Sequence, residues 1–112
     1  MESILTSIKK QLGPDVQDEY FDPEIIMHIN TTFFTLWQLG VGPAEGFYIE
    51  DASTTWNEFI ENPVECAPVK SYMYAKARLI FDPPQNAGHI KCLENTVSEF
   101  EWRLNHQADY FS

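Results

Sequence analysis

A chain of 112 residues with a formal net charge of -10 has room for one domain, and its acidity excludes a protein that grips nucleic-acid phosphates. Its aromatics, 3 Trp, 5 Tyr and 8 Phe, exceed what one small core holds, which places some of them at an interface. Cys66 and Cys92 are too few and too far apart for a disulfide framework, and no signal-peptide pattern or long apolar run is present, so the expectation is reduced thiols, cytoplasmic synthesis and no membrane partner.

The charge is unevenly spread. No Lys or Arg stands between Lys10 and Lys70, an interval that holds eleven of the 17 acidic residues. Such a segment serves solubility, a repulsive wall along which DNA slides without sticking, or a surface that imitates DNA.

Ile4, Leu5, Ile8 and Leu12 keep helical spacing in the opening segment, and Gly13-Pro14 ends it. An acidic linker over 15–21 follows. The second helix has Asp22 as expected N-cap, Pro23 in its first turn and Gly40 as a left-handed stop after Leu39. Ile25, Ile26, Ile29, Phe33, Leu36 and Trp37 form its main apolar face, while Met27 and Phe34, seven apart, lie together outside the centre of that face. They widen the core contact or meet another subunit.

The run from Gly40 to Gly46 is not regular helix, and Phe47-Tyr48-Ile49 reads as a short extended segment. Residues 41–54 are a candidate contact loop, with Val41, Phe47, Tyr48 and Ile49 as its contact residues. Thr55-Trp56-Asn57-Glu58 carries the capping-box pattern of a short helix through Ile60.

The longest helix is expected from Pro63 to Phe81. Asn62 serves as N-cap, Pro63 fits the first helical position, Glu65 completes a capping-box-like start, and Asp82-Pro83-Pro84 stops it. At 100° per residue, Val69, Tyr72, Met73, Leu79 and Ile80 share one side, and Lys70, Ser71, Tyr74 and Arg78 the other. Lys76 falls within the apolar side. Its stem packs there while the ammonium snorkels to water, or it pairs with a carboxylate on a packed helix or a neighbouring subunit.

A last helix is expected from about Ala87 to Asn105. Ile90, Leu93, Val97, Phe100 and Leu104 make a seam suited to antiparallel packing on the helix before it. Glu94 and Glu101 border this seam and are the candidates to meet Lys76; Trp102 points away from it, as a local cover or an interface anchor. The tail after Asn105 carries Tyr110 and Phe111 beyond the expected helix, and these need a partner or a groove to be held. The fold class is therefore all-α, a bundle of about four to five helices with a long antiparallel C-terminal helical hairpin.

No phosphate-cradling glycine motif, nucleophile elbow or paired metal motif is present, so neither catalysis nor a cofactor is expected. His89 and Cys92, three apart on one helix, supply two metal ligands at most.

Several blocks resemble a known family when taken in order. They are Ile25 to Asn30, Gln38 to Pro43, Thr55 to Ile60, Tyr72 to Pro84 with its Arg78-Leu79-Ile80-Phe81-Asp82-Pro83-Pro84 ending, and Glu99 to Asn105. Together they are similar to small head-tail connector (head-completion, adaptor) proteins of tailed phages and prophages of Gram-positive bacteria. The resemblance implies a structural virion protein of the neck that assembles as a homo-oligomeric, dodecameric ring under the portal protein. Such a ring extends the DNA channel, passes DNA without specific binding, and receives the next neck or tail-completion protein. It also implies a connector domain over 1–105 and a C-terminal tail over 106–112, with Gln107, Asp109, Tyr110 and Phe111 docking onto the portal. A ring closes only when each subunit presents two different patches, for which Met27 with Phe34, and Trp102, are the candidate anchors. Two other classes compete: an acidic DNA mimic or inhibitor, and a generic helical interaction module.

Overall fold

The computed structural model describes residues 2–14 and 17–111, with 107–111 described by backbone alone. Its α-helices are α1 (Ile4–Leu12), α2 (Asp22–Gln38), α3 (Trp56–Phe59), α4 (Pro63–Phe81) and α5 (Ala87–Phe111), with a 3-10 turn at Glu19–Phe21. Among the described residues there is no strand; Ser3 and Thr55 form an isolated antiparallel bridge. The all-α bundle expected from the sequence is the fold observed.

Local chemistry sets most of the boundaries. Ser3 caps α1 by accepting from the Thr6 amide at 3.2 Å, and Ile4, Leu5, Ile8 and Leu12 are all buried. Ser7 ties α1 to α3, because its hydroxyl donates to the Ile4 carbonyl at 3.0 Å and accepts from the Trp56 indole at 2.8 Å. The end of α2 is a Schellman motif. The Val41 amide donates to the Leu36 carbonyl at 2.9 Å and the Gly40 amide to the Trp37 carbonyl at 3.0 Å, with Gly40 at φ 85°.

Asp22 is not the N-cap of α2. The turn at Glu19–Phe21 leads straight into the helix, so Asp22 already has helical angles (φ -55°, ψ -45°), and the cap position, Phe21, makes no side-chain hydrogen bond. Lys9 claims the Asp22 carboxylate at 2.6 Å and also donates to the Gln17 carbonyl at 3.1 Å, which fastens α1 to the start of α2. Asp22 remains beside the positive end of the α2 dipole, where a carboxylate is favoured.

The segment between α2 and α3 is irregular but well anchored. Asn30 stands in for a strand partner: its side chain accepts from the Ile49 amide at 2.8 Å and donates to the Ile49 carbonyl at 3.0 Å. The extended segment expected at Phe47–Ile49 is thus paired to a side chain rather than to a sheet. Phe47 packs with Phe33 and Phe59 at centroid distances of 5.0 and 5.1 Å, and Phe33 and Phe59 lie 4.7 Å apart. Gly42 is required by this trio. A β-carbon there would come within 2.5 Å of the Phe59 ring, and its φ is 93°.

α4 is the centre of the bundle and packs against α1, α2, α3 and α5. Asn62 caps it by accepting from the Val64 amide at 2.9 Å, with Pro63 at its first position; no reciprocal bond from Glu65 accompanies this cap among the described residues. Val69, Tyr72, Met73 and Ala77 have no exposed surface, and Cys66 and Ala75 are buried with them. The single apolar face expected for this helix is therefore incomplete, since the small Ala75 and Ala77 let neighbours approach on further sides. Ile80, expected on that face, is 59 % exposed, although its neighbours Leu79 and Phe81 pack against the core.

α5 returns antiparallel along α4. Asn86 caps it by accepting from the Gly88 amide at 2.7 Å. Val97 and Leu104 are buried, with Leu93 and Phe100 packed against the core. The Tyr72 hydroxyl donates to Glu101 at 2.7 Å and fixes the register of the hairpin. Burial, and then the Glu101 carboxylate, push the Tyr72 phenol well above its usual range. The helix runs to Phe111 without a break at Asn105, so residues 106–111 continue α5 rather than forming a tail beyond it.

Tyr72→Phe keeps the packing but leaves a partly buried carboxylate without its donor. We expect a loss of about 1–2 kcal/mol in urea unfolding, with an unchanged denaturant slope. Glu101→Gln restores an acceptor for the phenol and should cost less than Tyr72→Phe.

Candidate functional site

The distribution of exposed apolar side chains defines the site. On α2, Met27, Thr31, Phe34 and Gln38 follow the i, i+4, i+7, i+11 rule and form one outward ridge. Met27 is 69 % and Phe34 56 % exposed, although the inner face of the same helix, Ile25, Ile29, Phe33 and Leu36, is fully buried. Trp37 was expected on the inner face and instead lies beside this ridge. Its ring is 5.7 Å from Phe34, and its indole N-H donates to the Ala44 carbonyl at 2.9 Å, which holds the ring outward.

The loop extends this surface. Tyr48 is exposed, and with Phe34, Trp37, Glu45 and Phe47 it lines an open cleft of about 340 Å³. Of the loop residues expected to make contacts, Ile49 is in the core, while Val41 and Phe47 pack against it. Tyr48 is therefore the one of the four that presents most of its side chain outward. The cleft walls are fixed from behind by the Asn30–Ile49 pairing and the Phe33–Phe47–Phe59 trio, so the surface is preformed.

A second apolar surface lies on α5. Trp102 is 63 % exposed and packs against His106, the rings tilted by 48° with centroids 4.1 Å apart, and the adjacent Arg103 pairs with Glu99 one turn back. Trp102 and Phe34 thus occupy different helices. The side chains of Gln107, Asp109, Tyr110 and Phe111 lie outside the described residues.

Lys76 makes no ion pair among the described residues. Its ammonium sits over the Tyr72 ring, 5.4 Å from the centroid, while Glu101 takes the Tyr72 hydroxyl and Glu94 is exposed. The carboxylate pairing within the chain is accordingly replaced by a cation–π contact, and the partly buried stem matches the snorkelling arrangement. Lys76 also acts on His28, a buried residue set edge-on to Phe81 with ring centroids 5.7 Å apart. Burial first, and the Lys76 charge second, push the His28 imidazole down to about 4.

Among the described residues no group of three or more His, Cys, Asp or Glu is arranged to hold a metal ion. His89 and Cys92 line one shallow cleft with Arg78 and Thr96. Cys66 is buried, and burial pushes its thiol up, away from the reactive thiolate. No helix is long and apolar enough to cross a membrane among the residues described.

The family described as Phage connector protein matches residues 4–111, which leaves out only the first three residues and the last. No curated protein and no solved structure matches.

His28 makes stability depend on pH in a defined direction. Its folded pKa lies below the unfolded value of 6.5, so between pH 6.5 and about 4 the unfolded chain binds the extra proton. This contribution is complete above pH 6.5 and falls away as the pH drops to 4. Allowing for water at a partly accessible ring, the loss is on the order of 2 kcal/mol. Urea unfolding of the wild type and of His28→Leu across pH 4–7 should diverge in slope over this window, with the variant the flatter of the two.

Proposed function

This chain belongs to the phage connector protein family, and we propose that it acts as the head-tail adaptor ring of a tailed phage, docked under the portal, extending the DNA channel and receiving the tail. The observation that carries the reading is the rigid apolar surface of Met27, Phe34, Trp37 and Tyr48, together with Trp102 on a separate helix. A small monomer gains nothing from holding such surfaces in water, whereas a subunit with two different neighbours needs two different patches.

The charge fits the same role. A chain of net charge -10 repels the DNA backbone, and the interval without Lys or Arg supplies a wall that DNA passes without being held. The adaptor is a dodecameric homo-oligomer in this reading and resides in the virion neck. In this reading the continuous end of α5 carries Gln107, Asp109, Tyr110 and Phe111 toward the portal. Its work is positioning and sealing, with no catalytic step and no cofactor.

Native mass spectrometry of the purified chain, alone and with its cognate portal, tests the reading. The expected result is a ring, or a stoichiometric complex formed with the portal. A monomer that ignores the portal and competes with DNA for a basic protein would instead identify an acidic mimic.

A further inference from the structure

The two exposed apolar surfaces differ in shape and in electrical setting. One is concave: the cleft beside the α2 ridge is bounded by Phe34, Trp37 and Tyr48, with Glu45 at its lining. The other projects into solvent, the tilted Trp102–His106 pair standing on the exposed side of α5. A large flat aromatic ring is the kind of anchor that fills such an aromatic-lined cleft.

Charge favours one pairing of the two surfaces over a two-fold contact. The cleft belongs to the part of the chain, residues 11–69, that has eleven carboxylates and no Lys or Arg. Pressing two such surfaces together around a two-fold axis would oppose carboxylates with no cation between them. Residues 70–112 hold five acidic and five basic residues; Trp102 itself is flanked by Glu101 and by Arg103, whose guanidinium pairs with Glu99. Contact between the acidic part of one copy and the balanced part of the next lessens that repulsion, because it sets one guanidinium, shared with Glu99, among the facing carboxylates.

We infer that the Trp102 ring of one copy seats in the Phe34–Trp37–Tyr48 cleft of the next copy, making a head-to-tail contact that repeats around the ring. This assignment rests on the adaptor-ring reading and names the contact through which the ring closes. Because the contact is heterologous, each copy uses its cleft once and its tryptophan once, and closure leaves neither exposed.

Complementation between two variants tests it. Phe34→Glu places a charge at the cleft, and Trp102→Glu removes the ring that fills it. Both positions are exposed, so neither substitution removes a core side chain. Under conditions in which the wild type forms rings, each variant alone should remain monomeric to at least about tenfold higher concentration. Mixed together, they should form a one-to-one heterodimer and nothing larger, because one intact cleft and one intact tryptophan remain available to each other. Helical circular dichroism of each variant, equal to that of the wild type, shows that folding is retained. Rings that persist in both single variants, or a mixture that stays monomeric, overturn this contact while leaving the adaptor reading in place. Wild-type protein that fails to assemble both alone and on the portal overturns the reading and the contact with it.

Discussion

Everything in this fold depends on enclosing α4. A helix that meets four others must be apolar or small on most of its circumference, and Val69, Tyr72, Met73, Ala75 and Ala77 supply that. Burying the large members contributes about 1.5–3 kcal/mol each, but the tyrosine brings a hydroxyl with it that must be satisfied. Glu101 is its partner, and that bond can form only when α5 lies antiparallel in one register. One buried polar contact therefore specifies the alignment of the long hairpin and, through it, where Trp102 stands on the surface. The cost is a carboxylate drawn to the edge of the core, limited because Glu101 keeps some access to water.

The same economy appears between α2 and α3. The loop there is irregular because glycines at 40, 42 and 46 take positive φ, yet its backbone is held by the Asn30 side chain and its aromatics are inserted among Phe33 and Phe59. Its inner residues stabilise the fold. That stability turns the outer residues, Tyr48 and the neighbouring Trp37, into a preformed surface instead of a mobile one, so binding there incurs little ordering cost. A face of this kind suits a subunit that must fit identical neighbours repeatedly.

Much of this was legible in the sequence, and the failures have identifiable causes. Helix order and type followed from proline, glycine and capping residues, and the seam of α5 followed from its three-four spacing. Wheel position set Met27 and Phe34 outside the centre of the apolar face without deciding between core and surface; the structure exposes both. The all-round burial of α4 was not, because a wheel weighted by large apolar residues passes over Ala75 and Ala77, which matter by being small. Asp22 looked like a cap because its neighbours match the pattern, but capping needs extended backbone, and the preceding turn is already helical. Trp37 depends on a bond to Ala44 across the Schellman turn, a contact without a periodic signal. The continuation of α5 did have a signal: residues 106–111 contain neither Gly nor Pro to stop a helix.

We propose that this chain forms the ring between portal and tail. An electron cryomicroscopy reconstruction of the neck in particles of the phage that encodes it tests that claim most directly. Copies of this helical bundle should form a closed ring under the portal, with the α2 ridge buried between adjacent copies. A neck that lacks this chain, or a chain whose Met27 and Phe34 face open solvent in the assembled particle, would contradict it.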